Sequence, residues 1–143
     1  PAAPQIAGFS GVSLAFFLDD LLDILLEIKQ TALLDRLSAP RATYRLPIID
    51  GQLLRCRGRL HEHRGEQEDA ELSFSRSITT LRSTGNPYAL ARSLLDHGSV
   101  LVDLGRPGEA TSALQEARSL FTELRATPWL ERTDRALEPL VLA

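Results

Sequence analysis

The sequence predicts an all-α fold, a stack of about three helical hairpins closed by a C-terminal capping helix. Three observations predict it. First, a pattern recurs after forty residues: Gly58 with Gly98, Gly65 with Gly105, Ala70 with Ala110, Phe74 with Leu114, Ser77 with Ala117 and Leu81 with Phe121. A period of this length marks stacked units, because one hairpin cannot bury its apolar face alone. Second, apolar residues recur at helical spacing, and no alternating run is long enough for a strand. Third, aromatics make up only 6% of the 143 residues. Aliphatic and alanine side chains must therefore fill the core, which suits helices better than sheets.

The elements follow in order. Residues 1–11 carry Pro, Gly and Ser without periodicity and are expected to be a loose lead-in. Val12 to Ile28 reads as a broadly apolar helix with Asp20, Asp23 and Glu27 on a narrow polar stripe. Thr31 to Leu37 reads as a short second helix, broken by Ser38-Ala39-Pro40. Residues 12–38 thus form a degenerate hairpin that keeps the helices and loses the forty-residue register.

Residues 47–86 are the first clear unit. Ile49, Leu53, Cys56 and Leu60 lie at i, i+4, i+7 and i+11 on one helix, and Ala70, Phe74, Ser77, Ile78 and Leu81 mark the next. Gly65 sits between them, where a positive φ is cheap only for glycine. Arg57 and His61 stand where packing residues are expected. Asn86 is placed to cap the following helix, with Pro87 in its first turn. Residues 87–127 repeat the plan: Leu90, Leu94, Gly98, Leu101 and Leu104, a turn at Gly105, then Ala110, Leu114, Ala117, Phe121 and Leu124. Residues 128–141 form the capping helix, with Trp129, Leu130, Leu137 and Leu140 inward and Glu131, Arg132, Asp134, Arg135 and Glu138 outward.

Gly58 and Gly98, Ala70 and Ala110, the turn residues Gly65 and Gly105, and Phe74, Leu114 and Ala117 together resemble the tetratricopeptide repeat. The resemblance implies a right-handed α-α superhelix, with small residues where the two helices of a unit cross. It covers residues 48–140 well and 12–38 poorly, and forty residues exceeds the usual repeat of thirty-four. The run from Gly85 to Leu137 also looks like the C-terminal helical-repeat regions of large bacterial signalling ATPases, LuxR-type and SARP-type transcriptional regulators and multidomain nucleotide cyclases. This implies the regulatory arm of a multidomain signalling or transcriptional regulator, binding a protein or peptide in a concave groove without bond chemistry. The expectation is therefore no enzyme, no cofactor and no metal. The alternative is an all-α enzyme using the N-terminal carboxylates.

Composition narrows the classes further. A net charge of -3 gives no basic footprint for nucleic acid. The single cysteine, Cys56, excludes an intrachain disulfide and a cysteine-cluster metal site. The early uncharged stretch is interrupted by Asp19, Asp20 and Asp23 and is too short to span a bilayer. It has no basic leader, so a cytoplasmic protein is expected. No Gly-rich phosphate loop ending in Lys-Ser/Thr occurs. The chain starts at Pro1 and lacks methionine, and is read as a fragment of a longer or processed protein.

By the register of the resemblance, Gln52, Arg55, Arg59, Glu62 and His63 face the groove from one unit. Arg92, Leu95, Ser99, Val102 and Asp103 face it from the next. Arg55 and Arg59 are four apart on one face, and with Arg92 could hold a carboxylate or an acidic peptide. His61 and His63 point about 200° apart on a helix, so one ion cannot take both easily. Asp19, Asp20 and Asp23 are expected to be solvated, and Cys56 to be core. The breadth of the first helix, with Phe9, Phe16 and Phe17, predicts a contact there. Other domains of the same polypeptide are expected to supply it, and a homodimer through this helix is the second expectation.

Overall fold

The computed structural model describes residues 11–39 and 46–142, and among them the side chains from Phe17 onward. The expected lead-in over residues 1–10 and the Phe9 and Phe16 side chains lie outside the described residues.

Seven helices and no strand occupy the described residues: α1 (Gly11–Glu27), α2 (Thr31–Ser38), α3 (Pro47–His63), α4 (Gln67–Arg82), α5 (Pro87–Asp103), α6 (Pro107–Glu123) and α7 (Thr127–Val141). Each helix packs on the next in the order α1–α2, α2–α3, α3–α4, α4–α5, α5–α6 and α6–α7. The first helices of the hairpins also touch one another, α1 on α3 and α3 on α5. No described helix is long and apolar enough to cross a membrane.

Sequence chemistry explains where the helices stop. Lys29, Gly65, Gly105 and Arg125 have φ of 60°, 76°, 70° and 53°. After each of them the next amide reaches back five residues: Gln30 to the Leu25 carbonyl, Glu66 to His61, Arg106 to Leu101 and Ala126 to Phe121, at 2.9–3.0 Å. This is the Schellman closure, with the left-handed residue just past the helix end. The Asn86 side chain accepts from the Ala89 amide at 3.0 Å, and Pro87 starts α5, as the sequence predicts.

The helix starts at 11, 47, 87 and 127 give offsets of 36, 40 and 40. The N-terminal hairpin therefore keeps the register that the forty-residue comparison loses; it is four residues shorter. Between α3 and α4, a Cβ built on Gly58 would stand 2.5 Å from the Phe74 ring; between α5 and α6, one built on Gly98 would stand 2.5 Å from Leu114 Cγ. The expected small-residue crossing is present, but its filler is the residue sixteen later; Ala70 and Ala110 are buried beside it. Thirty-six residues before Gly58 and Phe74 stand Leu22 and Ser38, both buried. The glycine facing a large side chain sixteen residues later, seen in the next two hairpins, therefore has no counterpart in the first.

Three buried clusters carry the core. Leu22, Leu26, Leu34, Leu53, Cys56 and Leu60 join the first two hairpins. Ala70, Phe74 and Val100 join α4 to α5. The largest runs from Ile78 and Leu94 through Leu114 and Phe121 to Leu137, with Trp129 packed against it. Between the clusters, the Ser77 hydroxyl donates to the Gly51 carbonyl at 2.6 Å and lies 2.9 Å from the Ser93 hydroxyl. Arg57 and His61 are only partly buried: Arg57 donates to the Ser38 carbonyl at 3.2 Å and His61 meets Glu66. They therefore link neighbouring segments at the edge of the core.

Candidate functional site: the charged row along the first helices

The row of first helices carries a run of polar and charged side chains that the fold places against one another. Arg55 on α3 is 1% exposed and uses all its nitrogens. Nη1 donates to Asp19 Oδ1 at 3.1 Å, Nη2 to Asp23 Oδ2 at 3.0 Å and Nε to Asp96 Oδ2 at 2.7 Å. The second oxygen of Asp19 accepts from Gln52 Nε2 at 3.0 Å, and Asp19 itself is fully buried. Arg59 Nη1 adds a bond to Asp23 at 3.2 Å. On α5, Arg92 is also 1% exposed; it donates to Asp20 at 2.9 Å, to the Tyr88 hydroxyl at 2.8 Å and to Asp23. Its guanidinium lies 3.6 Å from the centre of the Trp129 ring on α7, and that of Arg132 lies 4.6 Å from the same ring. One network thus runs from α1 through α3 and α5 to α7.

Local sequence places these groups. Asp19 and Asp23 are four apart and share a face of α1; Arg55 and Arg59 are four apart and share a face of α3. Gln52, Arg55 and Arg59 form the i, i+3, i+7 edge that α3 turns toward α1. Burial tends to raise the Asp23 carboxyl, but the Arg55, Arg59 and Arg92 guanidiniums outweigh it and hold the group below the usual carboxylate range. A carboxylate among three cations stays ionised far into acid.

The structure corrects two expectations about these residues. Asp19 and Asp23 are not a solvated stripe; they are the anions of a buried network. Gln52, Arg55 and Arg92 are not free groove-lining groups awaiting an acidic partner, because helix α1 already supplies the carboxylates. Leu95 is likewise buried in the core between α5 and α6. The sequence signal was present in outline: three aspartates at i, i+1 and i+4 on a mostly apolar helix, and two arginines at matching spacing on the next first helix.

The remaining row residues stay accessible. Arg59 and Glu62 are about one-quarter exposed and lie 3.7 Å apart. His63 and Asp103 are exposed, and Val102 is 39% exposed. Ser99 is partly buried, its hydroxyl donating to the Leu95 carbonyl at 3.1 Å. Glu62 has the unusual chemistry here: burial pushes its carboxyl up to about 7, helped by the negative charges of Asp96 and Asp103, against the pull of Arg59. It changes charge near neutral pH, which an ordinary glutamate does not.

Other candidate groups lie apart from this row. Burial pushes the Cys56 thiol up to about 12, so it is a core residue and not a nucleophile at neutral pH. His61 and His63 do not converge. His61 Nδ1 instead meets Glu66 at 2.5 Å, and with Asp69 these offer three potential ligand atoms within 4.8 Å of one another. His97 Nε2 pairs with Glu71 at 3.0 Å. No family model matches the chain, and neither a curated protein nor a solved structure does.

Proposed function

We propose that the chain is a tetratricopeptide-like interaction module that works by binding, as a regulatory arm of a larger signalling or transcriptional protein. The observation that carries this reading is the repeated hairpin: helix starts offset by 36, 40 and 40 residues, with the same left-handed closure after α1, α3 and α5. Such units stack into an extended face made of one helix from each, and recognition there needs shape and charge alone.

The network revises which part of that face takes a partner. With Gln52, Arg55 and Arg92 committed internally, the binding edge is Arg59, Glu62, His63, Ser99, Val102 and Asp103. Above about pH 7, where Glu62 is ionised, its acidic groups Glu62 and Asp103 outnumber its one guanidinium, so it suits a helical or extended peptide with a basic residue flanked by apolar ones. This replaces the acidic peptide expected from the arginines alone.

Panning a random peptide library against the immobilised chain tests the proposal. Enriched sequences are expected to carry Lys or Arg and to lose affinity about tenfold or more for Glu62→Ala plus Asp103→Ala. A library that yields no sequence displaced by free chain, or binders indifferent to that double variant, overturns it.

A further inference from the structure

The turn between α3 and α4 gathers three side chains that can ligate a metal. His61 stands in the last turn of α3, and Glu66 and Asp69 stand at the start of α4. His61 Nδ1, a Glu66 carboxylate oxygen and an Asp69 carboxylate oxygen all lie within 4.8 Å of one another. His61 Nδ1 and Glu66 Oε2 are 2.5 Å apart. The backbone beneath them is fixed: Gly65 has a φ of 76°, and the Glu66 amide donates to the His61 carbonyl at 2.9 Å.

The same positions in the neighbouring hairpins hold no such set. Thirty-six residues earlier stand Leu25, Gln30 and Leu33; forty residues later stand Leu101, Arg106 and Glu109. In the later turn Leu101 is buried in the core, and Arg106 closes on Glu109 through Nε at 2.8 Å and Nη2 at 2.6 Å. In the α3–α4 turn a glutamate replaces that arginine and an imidazole replaces that leucine. The His61 side chain keeps 20% exposure and turns toward the carboxylates. Among the described residues, no arginine or lysine forms an ion pair with Glu66 or Asp69; nearby Arg64 is held by Asp35 at 2.6 Å.

Carboxylates in a first helical turn also suit the positive end of the helix dipole. Glu66, however, makes no bond to the α4 amides from its cap position, and its oxygen goes to the imidazole instead. A protonated imidazole balances one carboxylate and leaves the second. A divalent cation balances both, with the imidazole neutral and free to ligate. One imidazole nitrogen with two carboxylate oxygens suits Zn2+, whereas Ca2+ and Mg2+ take oxygen alone. Zinc holds such donors at about 2.0–2.2 Å, which sets them about 3–3.5 Å from one another. Glu66 and Asp69 are both exposed, so rotation of their side chains supplies that adjustment without moving the backbone. Three protein ligands leave a fourth, tetrahedral position to water.

We propose that His61, Glu66 and Asp69 form a zinc-binding site at the α3–α4 turn. Their spacing of i, i+5 and i+8 crosses a helix end, so the neighbouring His61 and His63 are a false lead to it. Isothermal titration of the whole chain with Zn2+ is expected to give one site per chain. Glu66→Gln plus Asp69→Asn is expected to weaken binding about tenfold or more, and so is His61→Gln, each with unchanged helical circular dichroism. His97→Ala is expected to bind as the parent does. In NMR spectra, Zn2+ is expected to move the His61 ring signals before those of His63 or His97. No binding up to about 1 mM Zn2+ overturns the proposal. Binding indifferent to the Glu66 and Asp69 changes overturns it too. So does a titration in which His63 or His97 responds first, which would be adventitious capture by surface histidine.

Discussion

At the residue scale, steric space and backbone conformation make opposite demands on glycine. Gly98 is helical, and its missing Cβ leaves room for Leu114 Cγ at 2.5 Å. Gly98→Ala is expected to cost about 1–3 kcal/mol by overpacking, read as a shift in the urea midpoint. Gly65 has open space around it but a φ of 76°, so Gly65→Ala is expected to cost about 1 kcal/mol through the backbone alone. The reverse holds at Arg125, which occupies the equivalent turn position with φ 53°. Arg125→Gly is expected to raise stability by about 0.5–1 kcal/mol, checked by thermal melting. A helical glycine that makes room and a turn glycine that bends look identical in a sequence pattern; the contacts of Gly98 and the φ of Gly65 separate them.

At the scale of elements, α1 is tied to α3 by charge as much as by leucine. Removing Arg55 would leave Asp19 buried with Gln52 alone, and Asp23 and Asp96 short of a partner. Arg55→Ala is therefore expected to destabilise by about 3–5 kcal/mol. Arg59→Ala, at 27% exposure with a single bond to Asp23 at 3.2 Å, is expected to cost about 1 kcal/mol or less. The contrast is measurable by denaturant titration of the two variants, and equal losses would contradict the network. Arg55→Glu should fold worse still, since it would add a fourth anion beside Asp19, Asp23 and Asp96. It cannot serve as a benign probe of partner binding.

At the scale of the whole molecule, two carboxyls give stability opposite dependences on pH. Asp23 is held below its ordinary value of 3.8, so its stabilisation is present above that value and lost as acid protonates the folded state. Glu62 is raised from 4.5 to about 7, so its folded form binds a proton that the unfolded chain releases. The stability it contributes is complete below about pH 4.5 and lost as pH rises through about 7. A stability maximum between roughly pH 4 and 5 is expected from the pair. Glu62→Gln should flatten the neutral limb and exceed the parent at pH 8 by on the order of 1–3 kcal/mol. A parent chain whose melting temperature does not fall between pH 5 and pH 8 would contradict the Glu62 assignment.

The sequence by itself determined the helices and their ends. Hydrophobic period, Asn86-Pro87 and the turn glycines act over a few residues, and such local terms are legible one segment at a time. The forty-residue pairing also showed which residues are small at the crossings. It missed that Gly58 faces Phe74, and Gly98 faces Leu114, rather than the alanines at 70 and 110, because which side chain fills a gap belongs to two helices and not to either string. The tertiary structure alone decided the fate of the charges. Asp19 looks like a surface residue until α1 is laid beside α3, and Arg92 looks like a free cation until Asp20 and Asp23 arrive from about seventy residues earlier. Long-range pairing of buried ions depends on which faces meet, and that is set by packing.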